Sequence, residues 1–204
     1  MKVEKTKIDY IKGILFPLLT LLLLTVFLFN SGLTSLLFKK QDFSGYSPES
    51  ILFLQIISGL CTIFLFLGGE RTLKSFKKDQ FDIQTIPFIK GIRNRDLYAV
   101  FIQYPLTLLF EELLFRGIFY ALLSNITPII FIVLINASVF GLYHIHIYIT
   151  SKNVRISSIF IIFSFLLAVP LGLVFLYYGV IGCWIFHLIS VTYIYLRWNS
   201  IKFK

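Results

Sequence analysis

Phe110-Glu111-Glu112-Leu113-Leu114-Phe115-Arg116-Gly117 lies inside an apolar run from about Leu97 to Leu123, long enough to cross a bilayer. Two adjacent carboxylates and an arginine in such a run are costly. One charged side chain near the bilayer centre costs about 2.5–3.5 kcal/mol on insertion scales. The chain has ten Asp and Glu, and Glu111 and Glu112 alone fall inside an apolar segment. Arg116 is the only base well inside one. An ionisable group in that setting marks a functional site by default.

Composition sets the class. Of 204 residues, 57% are hydrophobic and 14% charged, which describes a membrane domain and not a soluble core. The net charge of +9 does not point to nucleic acid, because the bases cluster beside apolar runs. Membrane topology and anionic lipid account for them, so the expected surroundings are the lipid bilayer with no nucleic-acid partner. Cys61 and Cys183 lie in apolar segments and form no CxxC pair.

Outward from the acidic helix, the hydropathy pattern predicts an all-α, polytopic bundle of about six transmembrane helices. The spans are expected at about 13–38, 51–69, 97–123, 128–149, 156–178 and 179–197. The first has no cleavage pattern after it and is taken as uncleaved. Pro105 is expected to kink or break the third span, and a turn around Ser124–Pro128 leads to the fourth. Sixteen of the nineteen Lys and Arg fall on one side of this alternation and two on the other. That asymmetry places both termini in the cytoplasm. Residues 1–96 form an N-terminal two-span region with a basic cytoplasmic loop, 97–197 a core carrying the chemistry, and 198–204 a basic cytoplasmic tail.

All three histidines lie in the C-terminal half. His144 falls near the cytoplasmic end of the fourth span and His187 midway along the sixth, so both can meet the acidic pair in the inner half of the membrane. Glu112 and Arg116 are four apart and share a helix face, so Arg116 neutralises Glu112. Glu111 is rotated by about 100° and turns toward the histidines, where a carboxylate in an apolar pocket suits general-base work. Asn136, Phe140 and His144 form one stripe at intervals of four. His146 is about 200° from His144 and is expected to point away.

Glu111-Glu112-Leu113-Leu114-Phe115-Arg116 resembles the EExxxR motif of the CPBP family of CAAX proteases and bacteriocin-processing proteins, formerly Abi. Phe140-Gly141-Leu142-Tyr143-His144 resembles its FxxxH motif, and His187 the histidine of its third motif. The likeness spans about residues 97–197. It implies an intramembrane endopeptidase of the bacterial cytoplasmic membrane, opening to the cytosol. Glu111 would activate water with His144, Glu112 and Arg116 would support it, and His187 would stabilise the oxyanion. A membrane-associated peptide or protein would be the substrate, in peptide maturation, bacteriocin immunity or surface-protein processing. Glu111, His144 and His187 could also supply three ligands to a divalent metal such as zinc, with water as the fourth. No HExxH is present, and no cofactor is certain; the reading favours water activation without an obligatory metal. The third motif usually has a polar residue four positions after its histidine, where this chain has Val191. Asn136 or Phe140 would then support substrate and oxyanion. The competing reading is a non-catalytic immunity or scaffold protein that binds a bacteriocin or surface-protein partner. A proton-coupled transporter is weaker, because six spans without inverted repeats speak against it.

Overall fold

The computed structural model describes residues 18–26, 29, 37, 47–69, 87–124 and 127–202. Most of the expected first span, the loop after it and much of the long basic loop at 70–96 lie outside these residues. Among the described residues there is helix and no strand, and the fold is an all-α membrane helix bundle. Among the described residues three helices are long and apolar enough to cross a bilayer: Pro48–Gly68, Ile129–Ile149 and Val154–Arg197.

Helix α1 (Pro48–Ile63) starts where Ser47 accepts a hydrogen bond from the Ser50 amide, with Pro48 in the first turn, and it continues as a π-helix over Phe64–Gly68. Its inward face carries Leu54, Ser58, Cys61 and Leu65. Its outward face carries exposed Phe53, Ile56, Leu60, Phe64 and Leu67. A helix apolar on both faces belongs in lipid. The short helix α2 (Pro87–Asn94) buries Phe88 and Ile89 and leaves Arg93 and Asn94 exposed. Arg95, at φ 54°, ends it, and the Asp96 carboxylate accepts from the Ala99 amide to begin the next helix.

Helix α3 is the charged one. It runs as a π-helix over Ala99–Gln103, an α-helix over Tyr104–Glu112, a π-helix over Leu113–Phe119 and a last α-turn over Tyr120–Leu123. Pro105 lacks an N–H and crowds the carbonyl four residues earlier, so the turn before it widens and the helix does not break. Helix α4 (Ile129–Tyr143) ends at His144, and a turn leads into the short α5 (His146–Ser151).

Helix α6 (Val154–Lys202) contains the fifth and sixth expected spans. It is broken at Gly179, where φ is 69° and ψ −168°. That conformation is open to glycine and strained for other residues. The Cys183 thiol donates to the Leu171 carbonyl at 2.8 Å. Along a straight helix those residues would stand about 18 Å apart, so the chain folds back on itself and α6 is two limbs. The first limb runs antiparallel to α4: Gly141 faces Ile161 and Phe165, and Gly172 faces Val133.

A Cβ at Gly172 would lie 2.9 Å and 3.2 Å from the two methyls of Val133. Valine is stiff at χ1 and cannot swing aside cheaply. Gly172→Ala is therefore expected to destabilise the bundle by about 1–3 kcal/mol, read by thermal unfolding in detergent. Adding Val133→Ala should recover part of the loss. No recovery would mean that the two helices do not meet at these residues.

Candidate active site

The acidic pair sits at the junction between the α-helical and second π-helical parts of α3. A π-turn holds more than four residues per turn and is frequent at functional sites. Glu112 is 0% exposed and Arg116 1%. The Arg116 guanidinium donates to Glu112 Oε1 at 3.2 Å, and its carbon lies 4.4 Å from the centre of the Phe140 ring. This stacking over a π-face adds to the ion pair in holding the cation. The spacing-based pairing of Glu112 with Arg116 is present in the fold.

The second limb of α6 brings His187, 3% exposed, to the same carboxylate: its Nδ1 donates to Glu112 Oε1 at 2.7 Å. The spacing turns Glu111 toward the histidines, whereas in the structure His187 meets Glu112. The cause is the direction from which the limb arrives, after a fold at Gly179 that helix periodicity does not encode. Trp184 fixes this limb further by donating from Nε1 to the Pro105 carbonyl at 2.8 Å.

His144 approaches from α4. Its ring centre is 5.0 Å from that of Phe140, and the His187 ring centre is 5.8 Å from the same ring. Arg116, His144 and His187 thus all gather around the Phe140 ring. His144 has φ −73° and ψ 1° at the helix end, the bridge region where active-site residues recur. Its Nδ1 lies 2.9 Å from the Phe140 carbonyl. A carbonyl only accepts, so Nδ1 carries the proton and a neutral His144 offers Nε2 as an acceptor.

His146 does not point away. Helix α4 stops at Tyr143, so the 100° increment ends with it, and the intervening turn places the His146 ring 5.8 Å from that of His144. His146 is exposed and its Nδ1 donates to the Tyr143 carbonyl.

Glu111 differs from its neighbour. It is 7% exposed against 0% for Glu112, and among the described residues its carboxylate makes no hydrogen bond. It therefore keeps spare acceptor capacity. Asn136 is buried, and its side-chain amide donates to the Phe115 carbonyl in the π-segment. One of its two N–H groups thus joins α4 to α3, and the other remains for a further partner. Val191 packs against the apolar core, while the neighbouring Thr192 hydroxyl lies 3.4 Å from that of Tyr104.

Among the described residues no three His, Cys, Asp or Glu side chains converge as a metal ion's ligands would. Glu111, His144 and His187 are not gathered as one ligand set in this arrangement.

A family model described as Rce1-like, type II CAAX prenyl endopeptidase Rce1-like, matches residues 93–200, more than half of the chain. The match contains every residue of the constellation above. No curated protein and no solved structure matches the chain.

Proposed function

This chain belongs to the Rce1-like family of type II CAAX prenyl endopeptidases, within the CPBP family, and from that membership we propose an intramembrane endopeptidase that hydrolyses a membrane-associated peptide or protein by Glu111- and His144-assisted water. The observation that carries the reading is the division of labour between adjacent carboxylates. Glu112 is fully buried and held by Arg116 and His187, while the Glu111 carboxylate makes no hydrogen bond among the described residues. One acid is structural support, and the other remains to accept a proton.

In the proposed reaction Glu111 takes a proton from water, with His144 Nε2 as the second acceptor, and the water oxygen bonds to the scissile carbonyl carbon. The developing oxyanion accepts from His187 Nε2–H when that ring carries its second proton. Glu112 balances the resulting charge at the opposite nitrogen. The C–N bond then breaks, and the proton returns to the leaving amine. The six-span arrangement in a bacterial cytoplasmic membrane, with cytoplasmic termini, belongs to the same proposal. It sets the site toward the cytosolic half, and the positive-inside asymmetry supports it.

The test compares small peptides released from membranes of cells making the wild-type chain or Glu111→Gln at matched protein level. A peptide that appears only with wild type supports the protease reading and supplies the substrate. Identical profiles, with the variant retaining the cell's phenotype, would replace it with a binding or scaffold role, the reading favoured by the apolar Val191.

A further inference from the structure

His146 has no part in the proposed hydrolysis, yet the turn after α4 sets its ring centre 5.8 Å from that of His144. Both rings are anchored in the same way. His144 Nδ1 lies 2.9 Å from the Phe140 carbonyl, and His146 Nδ1 lies 2.8 Å from the Tyr143 carbonyl. A carbonyl only accepts, so each Nδ1 carries the proton and each Nε2 keeps its lone pair. A backbone carbonyl on the second nitrogen is what fixes tautomer and ring orientation in metal-bound histidines. The Tyr143 ring stands against both, with centres 5.4 Å from His144 and 5.2 Å from His146, and it limits how far either can turn. The spacing suits one ion: at Zn–N distances of about 2.0–2.1 Å, two imidazoles on a tetrahedral centre have ring centres about 5–6 Å apart. His146 is exposed and His144 part-buried, so the pair is reachable from outside the bundle.

We propose that His144 and His146 form a two-histidine site for a divalent transition metal ion of the zinc class, and that the bound ion inhibits the proposed hydrolysis. Among the described residues no third His, Cys, Asp or Glu converges with them, so water fills the other positions and the ion exchanges readily. The ion takes the Nε2 lone pair of His144, the one that the reaction needs as a proton acceptor. Glu111 and His187 have no part in this site, which sets it apart from a catalytic metal centre. The alternative is a pair of independent caps, in which each imidazole serves one carbonyl at the end of α4 and neither binds an ion.

The inhibition rests on the protease reading, the binding does not, and the experiment separates them. The full-length chain is made without a polyhistidine tag, stripped with a chelator, moved to chelator-free detergent buffer and dialysed against zinc chloride. Wild type is expected to bind one zinc ion per chain. His144→Ala and His146→Ala should each bind about 100-fold more weakly or worse, because a two-point ligand becomes a one-point ligand. Glu111→Gln, which spares both rings, should bind as wild type does. Turnover is then measured in liposomes on the peptide identified by the release comparison, each protein against its own rate in chelator. With free zinc at about ten times Kd, wild type should fall to about a tenth of that rate, and His146→Ala should stay within about twofold of its own. Wild type that binds no zinc, or His146→Ala that binds it as tightly as wild type, would overturn the site. Loss of zinc from Glu111→Gln would do the same, by assigning the ion to the reaction centre. Zinc held by both histidines with turnover unchanged would overturn the inhibition alone, as would equal inhibition of wild type and His146→Ala. A fully active Glu111→Gln would remove the protease reading and leave the metal site to be decided by the dialysis.

Discussion

Glu112→Ala is expected to destabilise the protein by about 3–5 kcal/mol and to abolish peptide release. The cause is the charge it would abandon. Arg116 is 1% exposed, lies inside an apolar helix run and has Glu112 as its only ion-pair partner among the described residues. Removing the carboxylate leaves a desolvated guanidinium on the face of Phe140, and a cation–π contact is worth only about 2 kcal/mol when desolvated. His187 loses its partner at the same time. The pair is itself incompletely compensated: Glu112 Oε2 and Arg116 Nε and Nη2 have no hydrogen-bond partner among the described residues. Replacing both members, Glu112→Gln with Arg116→Met, should therefore return stability to near or above wild type. It should not return activity, because a neutral amide cannot balance a protonated His187. Thermal unfolding in detergent, paired with the release assay, reads both. A Glu112→Ala protein as stable as wild type within about 0.5 kcal/mol would mean that solvent already serves Arg116.

The second large effect is expected at the fourth helix. His144→Ala should lower turnover by about 10²- to 10⁴-fold, the usual span for a positioned proton-transfer group, while His146→Ala stays within about twofold of wild type. The two imidazoles are near neighbours, with ring centres 5.8 Å apart, so proximity alone does not separate them. Orientation does. His144 is part-buried against Phe140, with its Nδ1 proton committed to a carbonyl and Nε2 left over. His146 is exposed and bound to the backbone of the preceding turn. Unfolding temperatures should be similar for both variants, so that the difference lies in the chemistry. Equal losses would place the two histidines in one proton relay and would revise the assignment of His144 as sole partner of Glu111.

The all-α membrane class was legible because hydropathy is local and additive: runs of Leu, Ile and Phe demand lipid or a core wherever the chain later goes. The Glu112–Arg116 pair was legible for a similar reason, since an interval of four is set by helix geometry and needs no partner helix. The Phe140 and His144 pair follows the same rule. What depended on helix ends was less secure. The direction of His146 was lost because the 100° increment stops at Tyr143, and nothing in the local residues says that α4 ends there and not two residues later. The π-segments were hidden too. Only Pro105 leaves a trace of one, and the turn that follows Glu112 has no comparable mark.

By itself, the sequence determined which groups must be protected from lipid, and it named them: two carboxylates, one guanidinium and two histidines set within apolar runs. Only the tertiary structure decided how they are shared. The fold at Gly179 brings His187 to Glu112 and not to Glu111, and it sets Thr192 against Tyr104. The reason is physical. Spacing along one helix fixes angles about its own axis, but which carboxylate a second helix meets depends on the crossing and depth of that helix, and these come from the packing of Phe140, Trp184 and Cys183 against their neighbours.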